Sequence, residues 1–169
     1  MKTTLTQTRL KQMLNYDPIT GLFTWRQKPS DRIVVGATAS NICKRHRYVR
    51  IGLYGKRYMA HRLAWFYMTG SWPENDIDHR NGKRADNRLA NLRPATKRLN
   101  NENQRRPRSD NKTGFLGVSP NQTPNAAKPF AAFIKYQGKV RNLGNFATAE
   151  QAHQAYLTAK RQHHEGCTI

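Results

Sequence analysis

Short apolar runs separated by turn signals dominate the chain and predict small helices and strands. Apolar residues at helical spacing predict a helix over 4–14. The run 22–25 predicts a strand, and 48–59 predicts a hairpin. The apolar run 61–70 predicts a helix that ends at Gly70, because glycine readily adopts the left-handed conformation of a helix end.

The middle of the chain predicts two strands followed by a helix. A strand covers 77–79, and the following Asn81-Gly82 pair predicts a turn. Apolar residues within 89–94 border a loop or second short strand, and a capping threonine precedes a helix over 97–103. This order predicts a compact ββα unit.

The C-terminal part predicts a small sheet packed on one helix. Strands are predicted over 115–118, 129–136 and 139–146. Thr148 and Gln151 form the capping-box pattern of a helix with an alanine-lined face, which can lie close to a sheet.

These elements predict an α+β protein of several parts. The expected parts are an N-terminal αβ extension over 1–60, the ββα unit over 61–103, a basic linker over 104–112 and a three-stranded-sheet-and-helix domain over 113–165.

The charge of the chain changes this picture from fold to partner. Thirty Lys and Arg against ten Asp and Glu give a net charge of +20, which favours a polyanion. The charge and the motifs described below together predict a nucleic acid, and we expect double-stranded DNA. An anionic membrane surface is the rival partner, but no apolar run is long enough to span a membrane.

The start of the chain has no apolar signal-peptide core, so we expect a cytoplasmic protein. The two cysteines belong to no C-x-x-C pair, and we expect free thiols.

The few acidic residues of this basic chain are clustered in one stretch. Four of the ten lie within thirteen residues: Glu74, Asp76, Asp78 and Asp86. Binding a cation is the chemistry that this grouping predicts.

The residues around this cluster have the types that phosphodiester hydrolysis needs. A neutral imidazole deprotonates water near pH 7, and His79 supplies one. Asp78 is a hard oxygen ligand, and Asn100, one turn into the predicted helix, is a second and neutral one. So small a set suits Mg²⁺, which keeps waters and binds substrate phosphate, and suits Zn²⁺ badly. Asn91 is expected to bond to backbone across the ββα unit and to hold His79 in its working orientation.

Neighbouring residues of a strand point to opposite faces, which complicates this assignment. Asp78 and His79 address one phosphate only if the backbone is distorted there or if the two groups flank the phosphate.

The region 58–103 resembles the HNH endonucleases of phage and mobile-intron type. The stretches that carry the resemblance are His61-Arg62-Leu63-Ala64-Trp65, Asp78-His79, Asp86-Asn87-Arg88-Leu89-Ala90-Asn91-Leu92, Thr96 and Asn100. The resemblance implies a ββα-metal nuclease fold in which His79 is the general base and Asp78 and Asn100 are metal ligands. Asn91 matches the central asparagine of the motif. Asparagine rather than histidine at position 100 points to Mg²⁺ or Mn²⁺.

His61 and Asn87 are two further motif positions, which are expected to be structural or to contact phosphate. His61 is either a packing histidine or a phosphate contact. Asn87 matches a recurrent position that we interpret as structural.

The region 114–162 resembles the ethylene-response-factor (ERF) type of DNA-binding domain. The resemblance rests mainly on Gly117-Val118, Phe130, Leu143-Gly144, Thr148, Ala155-Tyr156 and Ala159. It implies that the sheet reads DNA, and the expected contacts there are Lys135, Lys139, Arg141 and Asn142. Further phosphate contacts are expected from two basic clusters, which contain Lys44, Arg45, Arg47, Arg105, Arg106 and Arg108.

The sequence therefore predicts a Mg²⁺-dependent DNA endonuclease of homing type. We expect a monomer that nicks one strand and needs no small-molecule cofactor. The alternatives are a DNA-binding regulator with a vestigial site and a basic RNA-binding protein.

Overall fold

A computed structural model describes residues 5–44, 46–123 and 126–169. Arg45, an expected phosphate contact, lies outside the described residues. The chain divides into two compact units, Met1–Thr96 and Lys97–Ile169.

The first unit contains two helices and seven strands in its described part. Their bounds are α1 Gln7–Met13, β1 Leu14–Tyr16, β2 Phe23–Trp25, β3 Asn41–Ile42, β4 Val49–Leu53, β5 Lys56–Met59, α2 Ala60–Thr69, β6 Asp76–His79 and β7 Leu92–Ala95. A single 3-10 turn, Leu89–Asn91, leads into β7. The predicted helices and the hairpin are confirmed: α1 and the hairpin strands are slightly shorter than predicted, and α2 is shifted by one residue.

Three small antiparallel sheets make up this unit. β1 pairs with β2, β4 pairs with both β3 and β5, and β6 pairs with β7. Side chains from all three sheets and both helices form one apolar core, in which Leu10, Leu14, Ile51 and Leu63 are almost completely buried. Ile77 of β6 and Leu92 of β7 belong to this core, which therefore supports the β6–β7 pair.

Helix α2 ends where the sequence predicts. Gly70 has φ +77°, and its N–H donates to the Phe66 carbonyl at 2.9 Å. After this turn, Trp72 stacks on Phe66 with ring centroids 4.4 Å apart. The loop before β6 is thus attached to α2.

The second unit contains α3 Lys97–Glu102, β8 Val118–Pro120, β9 Phe130–Tyr136, β10 Lys139–Phe146 and α4 Ala149–His163. The strands form one antiparallel sheet in the order β10-β9-β8. Thr148 caps α4 by accepting a hydrogen bond from the Gln151 N–H at 3.2 Å, as the capping pattern predicts. The first strand was predicted over 115–118 and is observed at Val118–Pro120, because Gly117 turns the backbone with φ +79°.

The face of α4 that packs on the sheet holds more than alanine. Ala149, Ala152 and Ala159 are buried, and so is the whole side chain of Lys160. The Lys160 ammonium donates to the Gln104 carbonyl and lies 5.8 Å from the Tyr156 ring centroid. Burial lowers the pKa of Lys160. A lysine at this helical position is not distinguishable from a surface lysine by pattern alone.

The unit boundary falls just before α3, a helix that the sequence grouped with the strands preceding it. The domain limits drawn from the sequence therefore stay predictions. Within the described residues, no helix is both long and apolar enough to cross a membrane.

Candidate nuclease site

Strand β6 positions both residues of the central acid–histidine pair. Its register with β7 runs without interruption from Asp76 to His79, where His79 pairs with Leu92. The strand is therefore regular, and Asp78 and His79 point to opposite faces. The sequence left two geometries open, a distorted backbone or two groups that flank the phosphate. The regular register shows that the first of these is wrong.

Asp78 lies opposite Arg93 on the neighbouring strand. Its Oδ2 accepts hydrogen bonds from Arg93 Nε at 3.0 Å and from Nη2 at 2.9 Å. The Asp78 residue is only 6% exposed. A carboxylate this deeply buried needs a compensating positive charge, and Arg93 supplies one.

His79 faces a different set of side chains. Its ring centroid is 5.0 Å from that of His61 and 5.9 Å from that of Tyr48. Its Nε2 is 3.3 Å from Asn87 Oδ1. His79 is 3% exposed, and burial lowers its pKa, so the imidazole is neutral near pH 7. A neutral imidazole is the form that accepts a proton.

His61 lies on the first turn of α2 and is 7% exposed. Burial, together with the neighbouring His79, lowers its pKa to about 3. Its Nδ1 is buried and has no hydrogen-bond partner among the described residues. These surroundings favour packing over phosphate contact, the two interpretations that its sequence position allowed.

Asn91 organises the loop between β6 and β7. Its Oδ1 accepts from the Asn81 N–H at 3.0 Å, and its Nδ2 donates to the Asp86 carbonyl at 2.7 Å. The Asn91 side chain therefore closes the loop backbone across the ββ pair. The side chain within hydrogen-bond distance of His79 Nε2 is that of Asn87, at 3.3 Å.

Asp86 locks the same loop from its outer side. Its carboxylate accepts from Asn81 Nδ2 at 2.6 Å and forms an ion pair with Arg88 at 2.6 Å. The hydrogen bonds from Arg88 are the main reason that the pKa of Asp86 falls to about 2. This member of the acidic cluster acts in the loop structure.

The candidate metal ligands come from different parts of the chain. Asp78 is in β6 of the first unit, and Asn100 is in α3 of the second. Within the described residues, no group of three or more His, Cys, Asp and Glu side chains has the arrangement of a metal site. A carboxylate with an amide oxygen still fits Mg²⁺, since this ion takes few protein ligands and keeps water and phosphate in its shell.

Comparison with known proteins connects this geometry to a family. Residues 58–102 match the HNH endonuclease family. This stretch, the HNH segment, contains the acid–histidine pair on β6, the loop asparagines, β7 and α3.

A curated relative shares part of the chain with this protein. It is the DNA endonuclease I-HmuI of Bacillus phage SP01, 34% identical over 74 residues, which are 41% of this chain and 42% of the relative. The chain thus spans less than half the length of this relative. No solved structure matches the chain significantly.

The basic clusters outside the HNH segment lie mostly at the surface. Lys44 and Arg47 are exposed, as are Arg106 and Arg108. Arg105 is also exposed but bonds to the C-terminal residues, with Nη2 2.9 Å from the Thr168 carbonyl oxygen. Its guanidinium is thus partly engaged within the second unit.

The four expected contacts on the C-terminal sheet fall on two different faces. Arg141 pairs with Ile134, and Lys139 pairs with Tyr136, so both share the face on which Ile134 packs against α4. Lys135 and Asn142 lie on the face away from α4. The Asn142 side chain also accepts a hydrogen bond from the Gly144 N–H at 2.7 Å at the bulge of β10.

Arg93 and Tyr48 are site residues that the sequence interpretation missed. Arg93 lies between Leu92 and Pro94, and its pairing with Asp78 follows only from the register of two strands. Tyr48 lies before β4 and reaches the histidines through the fold. The signal available for Arg93 was a basic residue between Leu92 and Pro94 in a predicted loop or short strand.

Proposed function

We propose that the protein is a divalent-metal-dependent DNA endonuclease that nicks one strand of duplex DNA. The carrying observation is His79, a buried imidazole with a lowered pKa beside Asp78 within a segment matched to the HNH endonuclease family. The share of the curated relative that this chain covers is small, and the proposal for the whole protein rests on the site residues.

His79 is the general base in this proposal. The attacking water gives its proton to the neutral imidazole, and the oxygen forms a bond to the scissile phosphorus while the bond to the leaving oxygen breaks. The lowered pKa keeps the imidazole neutral near pH 7 and so keeps it competent to take that proton. The loop bonds of Asn91 and the contact from Asn87 hold the histidine at its strand end.

Asp78 and Asn100 are the proposed ligands of Mg²⁺ or Mn²⁺. When bound, such an ion stabilises the charge on the phosphate and on the leaving oxygen. The assignment of Asn100 rests on its donor chemistry and its position in the motif. Arg93 holds Asp78 in place and offsets its charge where no ion is bound.

The net charge of +20 and the exposed Lys and Arg side chains of both units support DNA binding, because they attract the phosphate backbone. We propose that the sheet of β8, β9 and β10 binds DNA in the manner of an ERF-type domain. Lys135 and Asn142 are the better candidates among the four predicted sheet residues, because they share the face away from α4. Lys44, Arg47, Arg106 and Arg108 are proposed to contact phosphates.

Cleavage of supercoiled plasmid with MgCl₂ tests the proposal. The parent protein should convert the supercoil to open circles, and EDTA should stop the reaction. His79→Ala should lose about 10²-fold or more of the rate, the usual contribution of a general base. His163→Gln, an exposed histidine of α4, is the matched control and should cut as the parent does.

Equal cutting by His79→Ala and the parent would overturn the assignment of the base. The buried Arg93–Asp78 pair favours a second candidate, a DNA-binding protein whose site no longer binds metal. Tight binding to duplex DNA without cleavage in Mg²⁺ or Mn²⁺ would support that candidate instead.

A further inference from the structure

We propose that Asn87 is a positioning residue that holds His79 in the tautomer protonated on Nε2, so that Nδ1 is the nitrogen that takes the proton from water. The N-terminal β1–β2 region holds Asn87 in turn. The inference deepens the proposed function and rests on it for the role of His79.

The orientation of the Asn87 amide decides which atom faces the histidine. Asn87 Nδ2 donates to the Ala85 carbonyl at 3.3 Å, a contact that an amide oxygen cannot make. Oδ1 therefore points to His79 Nε2, 3.3 Å away. Because Oδ1 only accepts hydrogen bonds, Nε2 must carry the hydrogen.

Because both residues are buried, the contact strongly favours one tautomer of His79. His79 and Asn87 are each 3% exposed, so water does not readily replace the bond. A buried N–H without an acceptor is penalised more than a surface one, which favours the tautomer and ring orientation that satisfy Nε2. The lone pair of the neutral ring is then on Nδ1.

Asn87 itself is held by the N-terminal part of the first unit. The Tyr16 hydroxyl donates to the Asn87 carbonyl at 2.7 Å in a buried position. Gly21, with φ +74°, packs so close that a Cβ there would lie 2.5 Å from the Asn87 carbonyl carbon. Two residues further on, the Leu89 N–H donates to the Pro18 carbonyl at 3.0 Å.

These contacts give the N-terminal region a place in the proposed chemistry. Tyr16 and Gly21 fix the Asn87 backbone, Asn87 fixes the His79 ring, and His79 presents Nδ1 for proton transfer. A residue that orients a general base acts in the same way as the outer partners of metal-binding histidines, whose loss typically reduces function by about 10- to 100-fold.

Nitrogen-15 NMR of histidine-labelled protein tests the tautomer directly, without metal or substrate. His79→Ala identifies the His79 signals among the six histidines. At a pH above imidazole protonation, the parent should show a protonated Nε2 and an unprotonated Nδ1. A parent spectrum with the proton on Nδ1 would overturn the inference.

Three variants separate positioning from general destabilisation. Asn87→Leu keeps the approximate size but removes the acceptor, and should shift His79 toward the other tautomer. Asn87→Asp keeps the acceptor and should retain the proton on Nε2. Tyr16→Phe should shift the tautomer populations less than Asn87→Leu, whereas Tyr67→Phe, in the same aromatic cluster, should leave them unchanged. An unchanged tautomer in a folded Asn87→Leu protein contradicts the inference.

Steady-state cleavage then relates positioning to rate. Asn87→Leu should lower kcat by about 10- to 100-fold and leave KM nearly unchanged, since the base and not the bound DNA is affected. A rise in KM with unchanged kcat would overturn the positioning role. If His79→Ala cuts normally while the spectra show Nε2 protonated, the proposed base is wrong but the tautomer assignment stands.

Discussion

The guanidinium of Arg93 forms two hydrogen bonds to one oxygen of Asp78, at 3.0 and 2.9 Å, across the paired strands β6 and β7. The side chains are 13% and 7% exposed. The positive guanidinium therefore lies directly against the carboxylate that we propose as a metal ligand. The negative charge of the buried Asp78 can therefore be balanced by Arg93, by a bound divalent ion or by both.

Removing Arg93 tests this relationship. Arg93→Met should lower the free energy of unfolding by about 3 kcal/mol in EDTA, because the buried Asp78 carboxylate loses the charge and the hydrogen bonds of the Arg93 guanidinium. Added MgCl₂ should restore more stability to Arg93→Met than to the parent, since an ion that binds only the folded state stabilises it. Urea unfolding with and without MgCl₂ measures both effects.

The double variant Asp78→Asn with Arg93→Met is the control for this experiment. It lacks the charged ligand and should recover part of the lost stability, but it should not respond to MgCl₂. An equal response of the parent, the single variant and the double variant would mean that Mg²⁺ does not bind at Asp78.

The buried His61 makes stability depend on pH. Its folded-state pKa is about 3, below the value of about 6.5 in an unfolded chain, so the unfolded state binds more protons between these pH values. The free energy of unfolding should therefore fall as the pH falls from about 6.5 toward 3. His61→Phe keeps a ring beside Tyr48 and His79 but cannot bind a proton. The variant should therefore lose up to about 1.4 kcal/mol less unfolding free energy per pH unit than the parent does over this range.

Urea unfolding of His61→Phe and the parent at several pH values makes this measurement. Some pH dependence should remain, because burial also lowers the pKa of His79. Near pH 7 the variant should be at least as stable as the parent, since it removes an unpartnered buried nitrogen. Identical pH profiles would show that His61 is accessible to protonation in the folded state.

Two glycines of the second unit form a matched pair for a stability test. Gly117 and Gly138 have φ +79° and +77°, but a Cβ at Gly117 would lie 2.1 Å from the Tyr156 ring whereas one at Gly138 would meet open space. Gly138→Ala should cost about 1 kcal/mol of backbone strain. Gly117→Ala should cost about 3 kcal/mol or more, because strain and overpacking add. Equal thermal shifts would contradict the close packing of Gly117 against Tyr156 of α4.

The two faces of the C-terminal sheet give a sharp test of DNA binding. Lys135 lies on the face away from α4 and Lys139 on the opposite face, although both are exposed lysines of one hairpin. If the face away from α4 binds DNA, Lys135→Gln should weaken binding and reduce the salt slope by about 1. Lys139→Gln should have a much smaller effect. The dependence of the binding constant on salt measures this, and the reverse order would place the DNA on the other face.

Much of the local structure follows from the sequence alone. Helix α2 ends at Gly70, Thr148 caps α4, and β6 ends at His79, because each depends on nearby residues whose backbone preferences and hydrogen bonds are local. The types of the candidate site residues were also recognisable, since proton transfer and binding of a hard cation each require few kinds of side chain. The first strand of the C-terminal sheet was predicted over 115–118 but is observed at Val118–Pro120, because a glycine turn displaces it.

The partners of those residues were decided only by the tertiary structure. Asp78 meets Arg93 through strand register, and Asn87 meets both His79 and Tyr16 although 71 residues separate it from Tyr16. Such contacts depend on how separate elements pack, and no local preference encodes them. The sequence thus determined which groups are available for chemistry, while packing determined which are buried, how their charges are compensated and which nitrogen of His79 faces Asn87.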